Sequence, residues 1–329
     1  MSGRASTCTD SIAQRSKRIF SVAATSQVMM GILLVVTVGY LSLKSPYFFS
    51  WSNFHSILDH SSLNAIIAVG MTFVISGGGI DLSVGAIAAL CGVIMAVLMH
   101  GNWGWQIVAL LGIAAGFGFG VINGLVITTF RVNPFIVTLG TMSVMRGMAL
   151  IITGGIPIYN FPQGFLWWGS GHIGPINPPM LVACCIACLG AILLNTTRFG
   201  RYTLALGGSE ESLRRSGVNP SVYKVLVYGC CGLTAAIGGL IVTARLNTAE
   251  PLAATMFELE AIATVVLGGT TMSGGNGTIL GTVLASLLLG ILRNGLVILG
   301  IPSYYQQLLL GTIILVAVIL SEWKASGRR

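Results

Sequence analysis

The chain has 329 residues, 54% of them hydrophobic and only 8% charged, with 17 Lys+Arg against 9 Asp+Glu and a formal net charge of +8. Its mean hydropathy of +0.87 excludes a soluble globular domain, in which about 25% of residues are charged. The positive residues sit at the two termini and in one loop, the distribution of cytoplasmic segments beside membrane spans, so the basic balance does not point to nucleic acid.

The apolar residues come in unbroken runs of about 17–25 residues, the length of a membrane-spanning helix. A barrel needs alternating segments of about ten residues, and none occur. The expected fold is therefore an all-α integral membrane protein, a polytopic bundle of about ten transmembrane helices with both termini cytoplasmic. The 44 glycines fit such a bundle, because small residues let membrane helices approach closely.

In chain order, residues 1–25 form a polar, basic tail (Arg4, Arg15, Lys17, Arg18). The apolar run that follows could belong to a signal peptide. The long polar lead and the lack of a small-residue cleavage site at Lys44-Ser45-Pro46 favour an uncleaved first helix. Ten spans are predicted at about 26–43, 62–79, 83–99, 105–128, 134–153, 179–197, 224–244, 258–273, 277–299 and 303–322, within a membrane domain of 26–322. Residues 323–329 form a second basic tail. With the N-terminus inside, most Lys and Arg fall in cytoplasmic segments, and only Lys44, Arg245 and Arg293 fall outside. The tryptophans lie at span ends or in loops, at headgroup depth. The segment "FFSWSNFHSILDH" (48–60) reads either as a short amphipathic helix on the outer surface or as a plain loop.

Two stretches echo each other. "NAIIAVGMTFVISGGGIDLSVG" from Asn64 and "EAIATVVLGGTTMSGGNGTILG" from Glu260 share Ala-Ile and Ser-Gly-Gly in the same order, each before a Gly-rich break and a second apolar helix. Interrupted segments in corresponding positions point to a transport pathway; chance likeness between Gly-rich helices is the competing reading.

No catalytic set is present. There is no H-E-x-x-H and no G-x-S-x-G, and no lysine follows a glycine, so a P-loop cannot occur. Cys185 and Cys188 have metal-like spacing but wholly apolar flanks, and read as packing thiols. Ionisable groups at membrane depth are functional candidates. Asp81, with Ser83, can cap the helix that follows and can also shape an inner gate. Arg146 lies near mid-span, with Asp81 or an Asn amide as a candidate partner. Asn64, Asn123 and Asn294 either line a hydrophilic path or join helices.

The most specific feature is the loop 198–223. It gathers Arg198, Arg201, Glu210, Glu211, Arg214 and Arg215, with Lys224 just beyond. Ser209 is placed to cap a short helix, Glu210 and Glu211 occupy its first turn, Arg214 and Arg215 its last, and Gly217 ends it. Acid before base suits the helix dipole. A loop that merely joins two spans needs none of this, so the helix reads as a docking element for a cytosolic partner.

The chain resembles the permease subunits of bacterial ABC importers for ribose and other simple sugars, within the wider ribose/branched-chain amino acid permease family. The resemblance runs from about Pro46 to Val318. It rests on "AVGMTFVISGGGIDLSVGAI", "NPFIVTLGTMSVMRGMAL", "TRFGRYTLALGGSEESLRRSGVN", "ELEAIATVVLGGTTMSGGNGTILGT" and "NGLVILGIPSYYQQLLLG". It implies a multi-pass protein of the inner membrane, a transport subunit and not an enzyme. It implies pairing with a second permease chain, as a homodimer or heterodimer, a cytosolic ABC ATPase below, and a periplasmic sugar-binding protein above. ATP and Mg would sit on the partner ATPase, and this chain would bind no cofactor. The family's coupling helix matches Ser209–Gly217, where the usual "GGNEEAA" reads "GGSEESL"; Ser209 replaces Asn, and both are good caps. The substrate stays open among a pentose, a hexose, a polyol, a nucleoside and a furanose-like signal. An ion-coupled secondary transporter, the alternative from another class, would want buried carboxylates, and Asp81 is the single candidate.

Overall fold

The computed structural model describes residues 30–309, together with 28, 311, 312, 315 and 319. The two expected tails, the start of the first span and part of the last lie outside the described residues. The helices are α1 (Met30–Lys44), α2 (Trp51–Ser76), α3 (Val84–His100), α4 (Trp105–Phe130), α5 (Pro134–Thr153), α6 (Gln163–Ser170), α7 (Pro178–Thr196), α8 (Arg198–Gly208), α9 (Glu210–Arg215), α10 (Pro220–Leu246), α11 (Phe257–Leu267) and α12 (Ile279–Ile298). Residues 303–309 are again helical. Strands β1 (Ile158–Tyr159) and β2 (Thr248–Ala249) form a short antiparallel pair.

Among the described residues six helices are long and apolar enough to cross a membrane: α2, α4, α5, α7, α10 and α12. The described parts of the other predicted spans are largely helical too, and differ from the prediction in extent. The difference is largest at α11, whose 11 residues reach only about 16 Å at ~1.5 Å per residue. The rest of that predicted span, 268–273, is irregular backbone, which continues to 278. Non-helical backbone at such depth is tolerated where protein surrounds it.

The segment 48–60 is neither a separate surface helix nor a plain loop. Ser50 accepts a hydrogen bond from Asn53 N and starts α2 there, so residues 51–60 are the outer turns of one 26-residue helix. Sequence reading also missed α6 and the β1–β2 pair. Asn247, in the left-handed conformation after α10, accepts from Phe161 N through Oδ1, which fixes the α5–α6 connection beside the α10–α11 connection.

The bundle is organised around α2 and α10. Beyond its polar outer turns, every residue of helix α2 from Ser61 to Ser76 is buried, as expected of a core helix. It packs against α7, α10, α11 and α12. Helix α10 packs against α4, α3 and α2. Helix α4 carries glycines spaced four apart; Gly116, Gly120 and Gly124 make its seam with α10, and Gly112 lies against Met95 of α3. A methyl at Gly120 would overlap the Tyr228 carbonyl, and one at Gly116 would overlap Ala236 Cβ. The two backbones touch, which is the use of small residues between membrane helices. By contrast α4, α5 and α7 expose Leu110, Val144, Ile151, Leu189 and Ile192. Cys184, Cys185 and Cys188 are free and exposed on α7.

Candidate functional site: the loop-bearing end of the bundle

The end of the bundle that carries α8 and α9 gathers most of the residues singled out from sequence. Helix α9 is held at both ends. Ser209 Oγ accepts from Ser212 N at 3.2 Å. At the other end Gly217 N donates to Arg214 O at 3.0 Å and Val218 N to Leu213 O at 3.4 Å. These two bonds, with Gly217 at φ +81°, form a Schellman stop, and glycine enters that conformation without a Cβ penalty. Glu210 lies 3.4 Å from Arg214, and Glu211 lies 3.0 Å from Arg215. Glu210 also accepts from Lys224 Nζ at 2.7 Å, which ties α9 to the root of α10. Leu213 is buried beneath while both arginines stay exposed. The helix thus presents a charged outer surface on a fixed apolar foot.

Behind α9 lies a cavity of about 270 Å³ whose walls include Gly77, Gly78, Glu210, Lys224, Tyr228 and Ser273. Deeper in the bundle sits the break between α2 and α3. Asp81 Oδ1 accepts from Ser83 N at 2.9 Å and from Ser83 Oγ at 2.6 Å. This is an Asx turn; Ser83 itself makes no side-chain cap. Asn123 of α4 donates to Ser83 Oγ at 2.8 Å. All three side chains are buried, and Asn123 Oδ1 has no hydrogen-bond partner among the described residues. Tyr228 of α10 donates to Ile80 O at 3.2 Å. The break is therefore fastened to α4 and α10 by polar contacts.

The Asp81–Ser83–Asn123 cluster carries a quantitative expectation. Removing one partner of a buried hydrogen bond costs about 1–3 kcal/mol, so Asp81→Ala should lower the thermal stability of the solubilised protein by ~2 kcal/mol and Ser83→Ala by ~1 kcal/mol. Because the two share one bond, the double variant should cost less than the sum. Strict additivity in a thermal-unfolding series would sink the shared-network account.

Arg146 does not meet Asp81 or an asparagine. Its Nη1 donates to the carbonyls of Pro251 and Ala253, so it anchors the α10–α11 connection from α5. Sequence reading missed this because a backbone carbonyl leaves no side-chain signal. Asn64 donates to Thr264 Oγ1 at 2.7 Å, joining α2 to α11. Asn294 donates to Asn53 Oδ1 at 2.7 Å, joining α12 to α2. Thr72 and Thr282, not singled out from sequence, share a 2.8 Å hydrogen bond between α2 and α12. The pathway and gate candidates thus separate: Asp81, Ser83 and Asn123 form one cluster, while Asn64 and Arg146 stand apart from it.

Residues 53–318 match the model of the family described as branched-chain amino acid transport system / permease component. The ribose import permease protein RbsC of Escherichia coli (strain K12) is 40% identical over 316 residues, covering 94% of this chain and 97% of that protein. RbsC of Bacillus subtilis (strain 168) is 40% identical over 299 residues, 90% of this chain and 92% of that protein. The D-allose transport system permease protein AlsC of E. coli (strain K12) is 36% identical over 292 residues, 88% of this chain and 90% of that protein. No solved structure matches the chain. A family model that spans most of the sequence, joined to 36–40% identity with three permeases over 88–94% of the chain, makes this chain a member of the branched-chain amino acid transport system permease component family.

Proposed function

We propose that this chain is the membrane-spanning permease of an ATP-binding-cassette importer, and that α9 is the element through which a separate cytosolic ATPase drives it. The observation that carries the reading is the construction of α9. It is a six-residue helix, capped at both ends, with exposed charge outside and one buried leucine beneath, in a chain whose sequence has no nucleotide-binding loop. The cargo is a monosaccharide of the ribose type, a reading supported by relatives named for ribose and D-allose. A periplasmic binding protein delivers it, and a second permease chain completes the path. The chain is a multi-pass protein of the bacterial inner membrane, with exposed apolar faces on α4, α5 and α7 meeting lipid or the second chain. The helices run back and forth in ten passes, counting the short α1, α3 and α11 and the segment from 303, with both termini cytoplasmic.

Uptake of labelled pentose by membrane vesicles tests this. Transport should require the ATPase, ATP and the loaded binding protein, and should persist when the proton gradient is collapsed. Uptake driven by a proton gradient without the ATPase would identify an ion-coupled carrier instead.

A further inference from the structure

The two echoing Gly-rich breaks, one after α2 and one between α11 and α12, meet each other at the end of α8, one residue before α9 begins. Gly275 N donates to Ser76 O at 2.9 Å. Ser76 is the last residue of α2, so this bond satisfies one of the carbonyls that a helix end leaves open. Gly207, in the last turn of α8, lies against the same carbonyl: a Cβ there would overlap both Ser76 O and Gly275 N. Its backbone also closes on the turns themselves, since a Cβ on Gly274 would lie 2.8 Å from Gly207 Cα and 2.9 Å from Gly78 Cα. Gly78 and Gly274 both have positive φ, +81° and +77°. Three backbone segments far apart in sequence are in contact at one point with no side chain between them.

A contact of this kind is stiff. Side chains accommodate displacement by changing rotamer, whereas touching backbones must move together or separate. Ser209 is both the last cap of α8 and the first cap of α9, so a displacement of α9 reaches Gly207 through two residues of chain. Gly208, the intervening glycine, has open space where a Cβ would be.

We infer that Gly207 is a positioning residue for transport: its backbone, pressed on Ser76 O and the Gly274–Gly275 turn, makes α9 move both broken segments as one unit. This rests on the reading of α9 as the ATPase-coupling element and adds where its motion is delivered.

The test compares Gly207→Ala with Gly208→Ala in the permease reconstituted with its ATPase and binding protein. Gly207→Ala should co-purify with the ATPase and keep basal ATP hydrolysis. Its pentose uptake and its stimulation of hydrolysis by sugar-loaded binding protein should each fall about tenfold, within the usual range of inter-site coupling. Gly208→Ala should stay within about twofold of the unaltered protein in all three readouts. Normal uptake by Gly207→Ala, or an equal loss in Gly208→Ala, overturns the inference. Loss of ATPase co-purification in a variant of α9 itself, with retention in Gly207→Ala, separates docking from transmission; if altering α9 changes nothing while Gly207→Ala still loses uptake, the α9 reading fails and the junction stands. Should Gly207→Ala fold poorly, hydrogen exchange on the unaltered complex decides. Trapping the ATPase with nucleotide should change exchange about threefold in both 77–83 and 268–278, whereas a change confined to 210–215 overturns the proposal.

Discussion

Replacing Glu210 and Arg214 together by alanine is expected to leave the permease folded in the membrane and to reduce sugar-stimulated ATP hydrolysis by its partner about tenfold. The argument is a comparison of magnitudes. The Glu210–Arg214 pair is an i,i+4 pair with side chains 41% and 63% exposed, and exposed pairs of that kind contribute about 0.3–0.5 kcal/mol. The acid in the first turn adds about 0.3–1 kcal/mol through the helix dipole. The contact to Lys224 is also partly exposed and belongs in the same range. Losing about 1–2 kcal/mol in all does not unfold a bundle whose core lies elsewhere. The cap Ser209, the foot Leu213 and the stop at Gly217 all survive the substitution. What is lost is one of the two ion pairs on the outer surface, with Glu211 and Arg215 remaining, and the tie to α10. Hydrolysis measured with and without loaded binding protein, beside a count of permease in the membrane, reads the two effects separately. Unchanged stimulation would remove α9 from the coupling path.

Gly120→Leu is expected to destabilise the bundle strongly. Its Cβ would overlap the Tyr228 carbonyl and come within 3.0 Å of Gly229 Cα. Overpacked cores cost about 1–3 kcal/mol when side chains can shift. Here the obstacle is backbone, so α4 and α10 must part along their shared length, and the cost should be about 3 kcal/mol or more. Parting them also pulls Asn123, three residues along α4, away from Ser83. Gly118→Leu, two residues before and with nothing within 4 Å of the added Cβ, is the control and should change stability by less than about 1 kcal/mol. Thermal unfolding of the two solubilised variants reads the difference, and equal loss in both would mean that the seam is not where α10 is held.

Much of this arrangement is legible in the sequence, and each part is legible for a local reason. Span positions follow from runs of apolar residues, because a helix in lipid must be apolar along its whole length. Helix α9 is legible because its start, its charges and its stop all lie within nine residues, Ser209 to Gly217, and its caps bond to neighbours in the chain. The glycines of α4 are spaced four apart, a pattern that the sequence displays and that a general appeal to close packing passes over. Arg146 is the opposite case: its partners are the carbonyls of Pro251 and Ala253, and every residue has a carbonyl.

The sequence by itself determined what depends on neighbours along the chain: the membrane class, the helices beneath the spans and the capped charged helix. The tertiary structure decided what depends on residues far apart. It brought the turn after α2, the end of α8 and the turn between α11 and α12 to one point. It set Asn123 on Ser83, Asn64 on Thr264 and Thr72 on Thr282. Glycines and small polar residues have no pattern of their own that names a partner. Their pairing is fixed only when close-packed helices leave one backbone, or one hydroxyl, within reach.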